Sequence, residues 1–116
     1  MLENRVHLLG YVDNHYKIGA YTGAEILVVP SRREAMSIVA IEAGACETPV
    51  LLTNNCGFDE VKKFGCSVVD ATAEELYKGL YNMINKNNLE IIGKDLRGFI
   101  LNSYTWEITA KKYLEI

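Results

Sequence analysis

Two glutamates eight residues apart, Glu34 and Glu42, are the side chains best placed to do chemistry in this chain. Glu34 closes the run Val28-Val29-Pro30-Ser31-Arg32-Arg33, where a proline stops an apolar segment. From Ala35 to Cys46, Glu42 is the one charged residue. The pattern predicts a helix from Glu34 or Ala35 to about Cys46, apolar nearly all round and therefore buried. A solitary carboxylate on such a helix costs several kcal/mol unless a basic side chain or a ligand pairs with it. At the helix entrance the N–H groups of Ala35, Met36 and Ser37 would be open to an anion.

The elements that must carry these residues can be read from the apolar runs. Val6–Gly10, Ile26–Val29, Val50–Thr53 and Ser67–Val69 read as four short, continuously apolar strands. Asp13 can cap a helix over roughly 14–22 whose Tyr16, Ala20 and Tyr21 face inward. Thr72-Ala73-Glu74-Glu75 has capping-box spacing before Leu76, Leu80, Met83 and Ile84. Leu89, Ile92, Leu96, Phe99 and Ile100 follow at helical spacing, interrupted by Gly93 and Gly98, and Thr105 caps a last helix whose Trp106 reads as core. Apolar strands alternating with helices mean an α/β fold, a doubly wound parallel sheet of about four strands covered on both faces. The chain enters its first strand at once and is dense with helix in its second half. Residues 1–116 therefore read as a single domain and as a piece of a larger one, lacking its first strands.

In open sheets of this kind ligands bind at the carboxyl ends of the strands. Gly10-Tyr11-Val12, Pro30–Ser37, Asn54–Gly57 and Asp70-Ala71 occupy those positions. Eight helical residues span roughly 12 Å at 1.5 Å per residue. That is about the reach from the sugar to the ribose of a nucleotide-sugar, and a carboxylate at each end can accept from neighbouring hydroxyls. Simpler readings stand beside this one. Ser31-Arg32-Arg33-Glu34 is itself a capping box, and Glu42 could pair with a lysine or arginine. Asn54-Asn55-Cys56-Gly57 could be a plain turn, and His7 and His15 are packed or solvated side chains rather than catalysts.

Composition narrows the classes. The chain has 116 residues, 49% of them hydrophobic, and a net charge of −3. No basic stripe suits a phosphate backbone, which argues against nucleic acid as a partner. The apolar runs are too short to span a bilayer, and the start shows no secretory pattern. Cys46, Cys56 and Cys66, evenly spaced and odd in number, fit neither a disulfide framework nor a zinc knuckle and read as reduced thiols of a cytosolic protein. Dinucleotide, P-loop and nucleophile-elbow signatures are absent. Asp13, Asp59 and Asp70 do not supply the clustered aspartates of a phospho-receiver domain.

Taken in order, the segments resemble the carboxyl-terminal, donor-binding domain of a GT-B glycosyltransferase of the retaining family 4 (group 1). The resemblance rests on Arg5–Val12, then Tyr21, Ala24 and Glu25 through Pro30-Ser31. It continues through Glu34-Ala35-Met36-Ser37, Glu42-Ala43-Gly44-Ala45-Cys46, Thr48-Pro49-Val50, Thr53–Gly57 with Glu60-Val61, and Tyr104-Thr105-Trp106 with Tyr113. It implies that Glu34 is the catalytic-site carboxylate contacting the donor sugar. It also implies that the amides from Ala35 through Met36 and Ser37 to Ile38 hold the diphosphate and that Glu42 holds the ribose. Tyr11 and Val12 would contact the base. It implies a nucleotide-sugar donor, no metal and no other cofactor, and transfer with retention to a glycan, lipid or small-molecule acceptor. The parent enzyme would be cytoplasmic, at times peripheral to the inner face of a membrane.

Four departures matter. Met36-Ser37 replaces the family's Phe-Gly, and Glu47 stands where glycine is usual, a position prone to strain. The family's Gly-Arg and Lys that neutralise the diphosphate have no counterpart, nor does the acceptor-binding amino-terminal domain. The isolated chain is therefore expected to be inactive and to self-associate through uncovered strand edges. A non-catalytic binding or assembly module on the same fold is the alternative, and retention of both Glu34 and Glu42 speaks against it.

Overall fold

The structure is a computed structural model that describes residues 3–116; Met1 and Leu2, with which the sequence opens, lie outside the described residues. Three strands form a parallel sheet: β1 (Leu27–Val29), β2 (Val50–Thr53) and β3 (Ser67–Val69), in the order β1-β2-β3. Leu27 pairs with Val50 and Leu51 with Ser67. Every residue of β2 is buried, as a central strand with both faces covered requires. Val50 and Leu52 join the main core with Ala40, Ala43, Phe58, Leu96 and Ile100. Leu51 points to the opposite face, where a Cβ on Gly79 would come within 2.8 Å of it.

Five α-helices surround the sheet: α1 (Asn14–Gly23), α2 (Ile38–Ala45), α3 (Ala73–Asn85), α4 (Leu89–Ser103) and α5 (Trp106–Leu114), with a 3₁₀ helix over Asp59–Phe64. The expected caps form. Asp13 accepts from the Tyr16 N–H, Thr72 from Glu75 and Thr105 from Ile108. The main core lies between the sheet and α2 with α4, while α3 covers the other face. No described helix is long and apolar enough to cross a membrane.

Several expectations need correction. Val6–Gly10 forms no strand, so the sheet has three strands rather than four, and β1 is an edge. A strand needs a neighbour to take its N–H and C=O groups, and this run pairs with nothing among the described residues; Leu8 is 97% exposed. On α1 only Tyr21 is buried, while Tyr16 and Ala20 face outward. Trp106 is 88% exposed and is not core. α4 runs unbroken through Gly93 and Gly98. Gly93 is a close-packing residue, since a Cβ there would lie 2.0 Å from the Glu47 carbonyl oxygen. Glu47 itself has φ 66°, the left-handed conformation expected from its place in the turn. The Arg97 guanidinium donates to the Ala45 carbonyl at the end of α2, satisfying a helix-terminal acceptor.

Candidate functional site

The site is assembled where β1 and β2 end. The β1–α2 loop (residues 30–37) and the turn after β2 (residues 54–57) lie side by side. The Thr53 hydroxyl donates to the Ser31 carbonyl. The Glu34 N–H donates to the Asn55 carbonyl at 2.9 Å, and the Ser37 N–H to the Cys56 carbonyl at 2.9 Å. The buried Cys56 thiol lies 3.6 Å from the Val29 carbonyl. Gly57, with φ 66°, lets the two backbones touch, because a Cβ there would fall 1.9 Å from the Ala35 carbonyl oxygen. Phe58 then anchors the turn: it is fully buried, edge-on to Tyr104 at 5.4 Å and stacked near Phe99 at 6.4 Å. The loop that bears Glu34 is thus held by a short backbone ladder that continues the sheet beyond its strands.

This geometry revises the expected helix entrance. α2 starts at Ile38, and Ser37 is its N-cap, accepting from the Ala40 N–H at 3.3 Å. The Ser31–Glu34 capping box does not form, so Glu34 lies in the loop before the helix and two turns of helix do not separate it from Glu42. The Ser37 amide is engaged by Cys56, whereas the N–H groups of Ala35, Met36, Ile38 and Val39 have no acceptor among the described residues. Glu34 Oε2 is buried and makes no hydrogen bond. An orphaned buried acceptor is uncommon and costs about 1–3 kcal/mol. A cleft of about 380 Å³ lies beside it, lined by Arg32, Arg33, Glu34, Asn54, Asn55 and Gly57. On its β3 side the Asn54 carboxamide donates to Asp70 at 2.8 Å.

Glu42 is paired within the protein. Lys17 on α1 reaches Glu42 Oε2 at 2.9 Å, with both side chains 34% exposed. The hydrogen bond to Glu42 is the main reason that the Lys17 ammonium is held above the ordinary lysine range. Tyr21 sits in the same place, its phenol pushed up by burial first and by the Glu42 charge second. One oxygen of Glu42 stays open to a further donor, since a carboxylate accepts at both oxygens. Tyr11, 94% exposed, and Val12 lie on the segment leading into α1. Together with Leu9, Asp13, Tyr16 and Ala20 they line an apolar cleft of about 540 Å³. Sequence reasoning did not single out Lys17, for no local pattern links a residue on one helix to a carboxylate 25 positions on. Arg32 and Arg33 were visible only as the middle of a capping box.

The fold is an α/β unit with a three-stranded parallel sheet, and a polar cleft opens at the carboxyl ends of its strands. The family described as "Glycosyl transferases group 1" matches residues 1–90, and the chain belongs to that family. It is 27% identical over 120 residues to an uncharacterized glycosyltransferase of Methanocaldococcus jannaschii, covering 99% of this chain and 31% of that protein. It is 33% identical over 94 residues to a probable sucrose-phosphate synthase of Thermosipho melanesiensis, covering 78% of this chain and 21% of the relative. The structure superposes on a sucrose-phosphate synthase from Thermosynechococcus elongatus with a TM-score of 0.88 and 28% identity, over 98% of this chain and 30% of the other. The fold is that of a GT-B domain of that enzyme. The chain spans less than a third of the length of each of these relatives. Among the described residues no group of three or more His, Cys, Asp or Glu side chains is placed to hold a metal ion.

Proposed function

We propose that this chain is the donor-binding part of a glycosyltransferase that moves a sugar, with retention, from a nucleoside diphosphate to an acceptor. The observation that carries the reading is the orphaned Glu34 Oε2, buried at the rim of a cleft and lacking the donor a sugar hydroxyl would supply. Glu34 fixes the orientation of the transferred sugar. The free amides of Ala35, Met36, Ile38 and Val39, the last two at the start of α2, meet the negative charge that develops on the departing diphosphate. Preorganised N–H donors of this kind need no rearrangement as the bond breaks. Glu42 accepts the ribose hydroxyls through the oxygen that Lys17 leaves open, and the apolar cleft at Tyr11 and Val12 receives the base. No bound metal is required by this scheme, and the acceptor is a glycan, lipid or small molecule met by another part of the protein.

Glu34→Gln and Glu42→Gln test it in the full-length protein. Each removes a charged acceptor worth about 1.5–3 kcal/mol. Glu34→Gln is expected to lower transfer rate strongly with the melting temperature unchanged, and Glu42→Gln to weaken donor affinity. Normal transfer by the first variant, or an unchanged affinity for every nucleotide-sugar by the second, would refute the assignment.

A further inference from the structure

Arg32 and Arg33 are the least explained feature of the cleft. Their backbone is held on both sides, by the Thr53 hydroxyl at Ser31 and by the Asn55 carbonyl at Glu34. Both residues line the cleft, yet neither guanidinium is within salt-bridge distance of Glu34 or of any other carboxylate among the described residues. Asp70, next to the cleft's Asn54, is engaged by the Asn54 carboxamide at 2.8 Å. A chain of net charge −3 thus places two adjacent arginines, without an ion pair among the described residues, on the cleft that also holds the unsatisfied Glu34 oxygen. Guanidinium groups present a planar fork of donors that matches a phosphate in two-point contact. The cleft, about 380 Å³, falls in the range of small-ligand sites.

We infer that Arg32 and Arg33 form a phosphate subsite beside Glu34, so that the cleft takes a phosphorylated sugar: Glu34 accepts its hydroxyls and the arginines hold its phosphate. This rests on the donor-site reading of Glu34. The phosphate has two sources, the diphosphate of the donor or a phosphate on a second sugar substrate.

Amide chemical-shift titration of the protein with glucose, glucose 6-phosphate and UDP separates these cases, using the parent, Arg32→Gln/Arg33→Gln and Glu34→Gln. Both arginines are exposed, so the double variant should keep the parent spectrum elsewhere. The double variant is expected to lose roughly tenfold in affinity for a phosphorylated ligand, with glucose unaffected. Loss confined to glucose 6-phosphate identifies a sugar-borne phosphate; loss confined to UDP identifies the donor diphosphate. Equal affinity of parent and double variant for both phosphorylated ligands overturns the subsite. Glu34→Gln reports separately: unchanged binding of both sugars by that variant counts against the donor-site reading, whatever the arginines do.

Discussion

Gly57→Ala tests whether the loop ladder, rather than the helix, positions Glu34. At φ 66° an alanine costs about 1–2 kcal/mol, because the added Cβ crowds its own backbone. The new methyl would also start 1.9 Å from the Ala35 carbonyl oxygen, where ordinary contact begins near 3.4 Å. Neither backbone can yield alone, since Phe58 fixes one and the Glu34–Asn55 hydrogen bond the other. Overpacking of this sort adds about 1–3 kcal/mol, so the total is about 2–5 kcal/mol. Gly10→Ala is the control: its φ is 69°, but nothing lies within 4 Å of the added Cβ, so only the conformational part remains. Urea unfolding of both variants measures the difference, and nucleotide-sugar affinity of Gly57→Ala reports the displacement of Glu34. Equal stability losses in the two variants, or full affinity in Gly57→Ala, would refute the argument.

Three further outcomes follow. Lys17 and Tyr21 both have folded-state proton affinities raised above their ordinary 10.5 and 10.0, so the native state holds protons that the unfolded chain has released. Stability is therefore fully present below those values and falls as pH rises through them, and Lys17→Met should flatten that alkaline slope in urea titrations; an unchanged slope contradicts the pairing. Glu47→Gly should raise the unfolding midpoint by the equivalent of about 0.5–1 kcal/mol, by relieving a left-handed glutamate, and a loss instead would show that the turn is not strained. The open edge of β1 and the exposed run around Leu8 should drive self-association, seen as a mass above the monomer in light scattering; a monodisperse monomer at high concentration would contradict it.

What was legible in the sequence was whatever depends on local pattern. Val50–Thr53 and Ser67–Val69 form strands with the expected bounds, and Asp13, Thr72 and Thr105 cap helices because side-chain capping is a matter of three or four residues. What was not legible depends on distant partners. Val6–Gly10 has a strand's composition but no neighbour to pair with. The helix start moved to Ile38 because Asn55 and Cys56 claim the backbone of Glu34 and Ser37, a competition between loops that propensity does not register. Glu34 and Glu42 stood out as candidates from spacing and an isolated charge. Lys17, Arg32 and Arg33 required the fold to bring them into view.

Hydrogen–deuterium exchange with and without a saturating nucleotide-sugar tests the central claim most directly. The account predicts slower exchange at residues 34–42, whose free amides meet the diphosphate and sugar and whose Glu42 meets the ribose, at residues 54–57, which the ladder couples to them, and at residues 11–13 beside the base. Protection elsewhere, for example in the groove lined by Glu25, Glu47 and Asn87 at the opposite ends of the strands, with residues 34–42 unchanged, would contradict it.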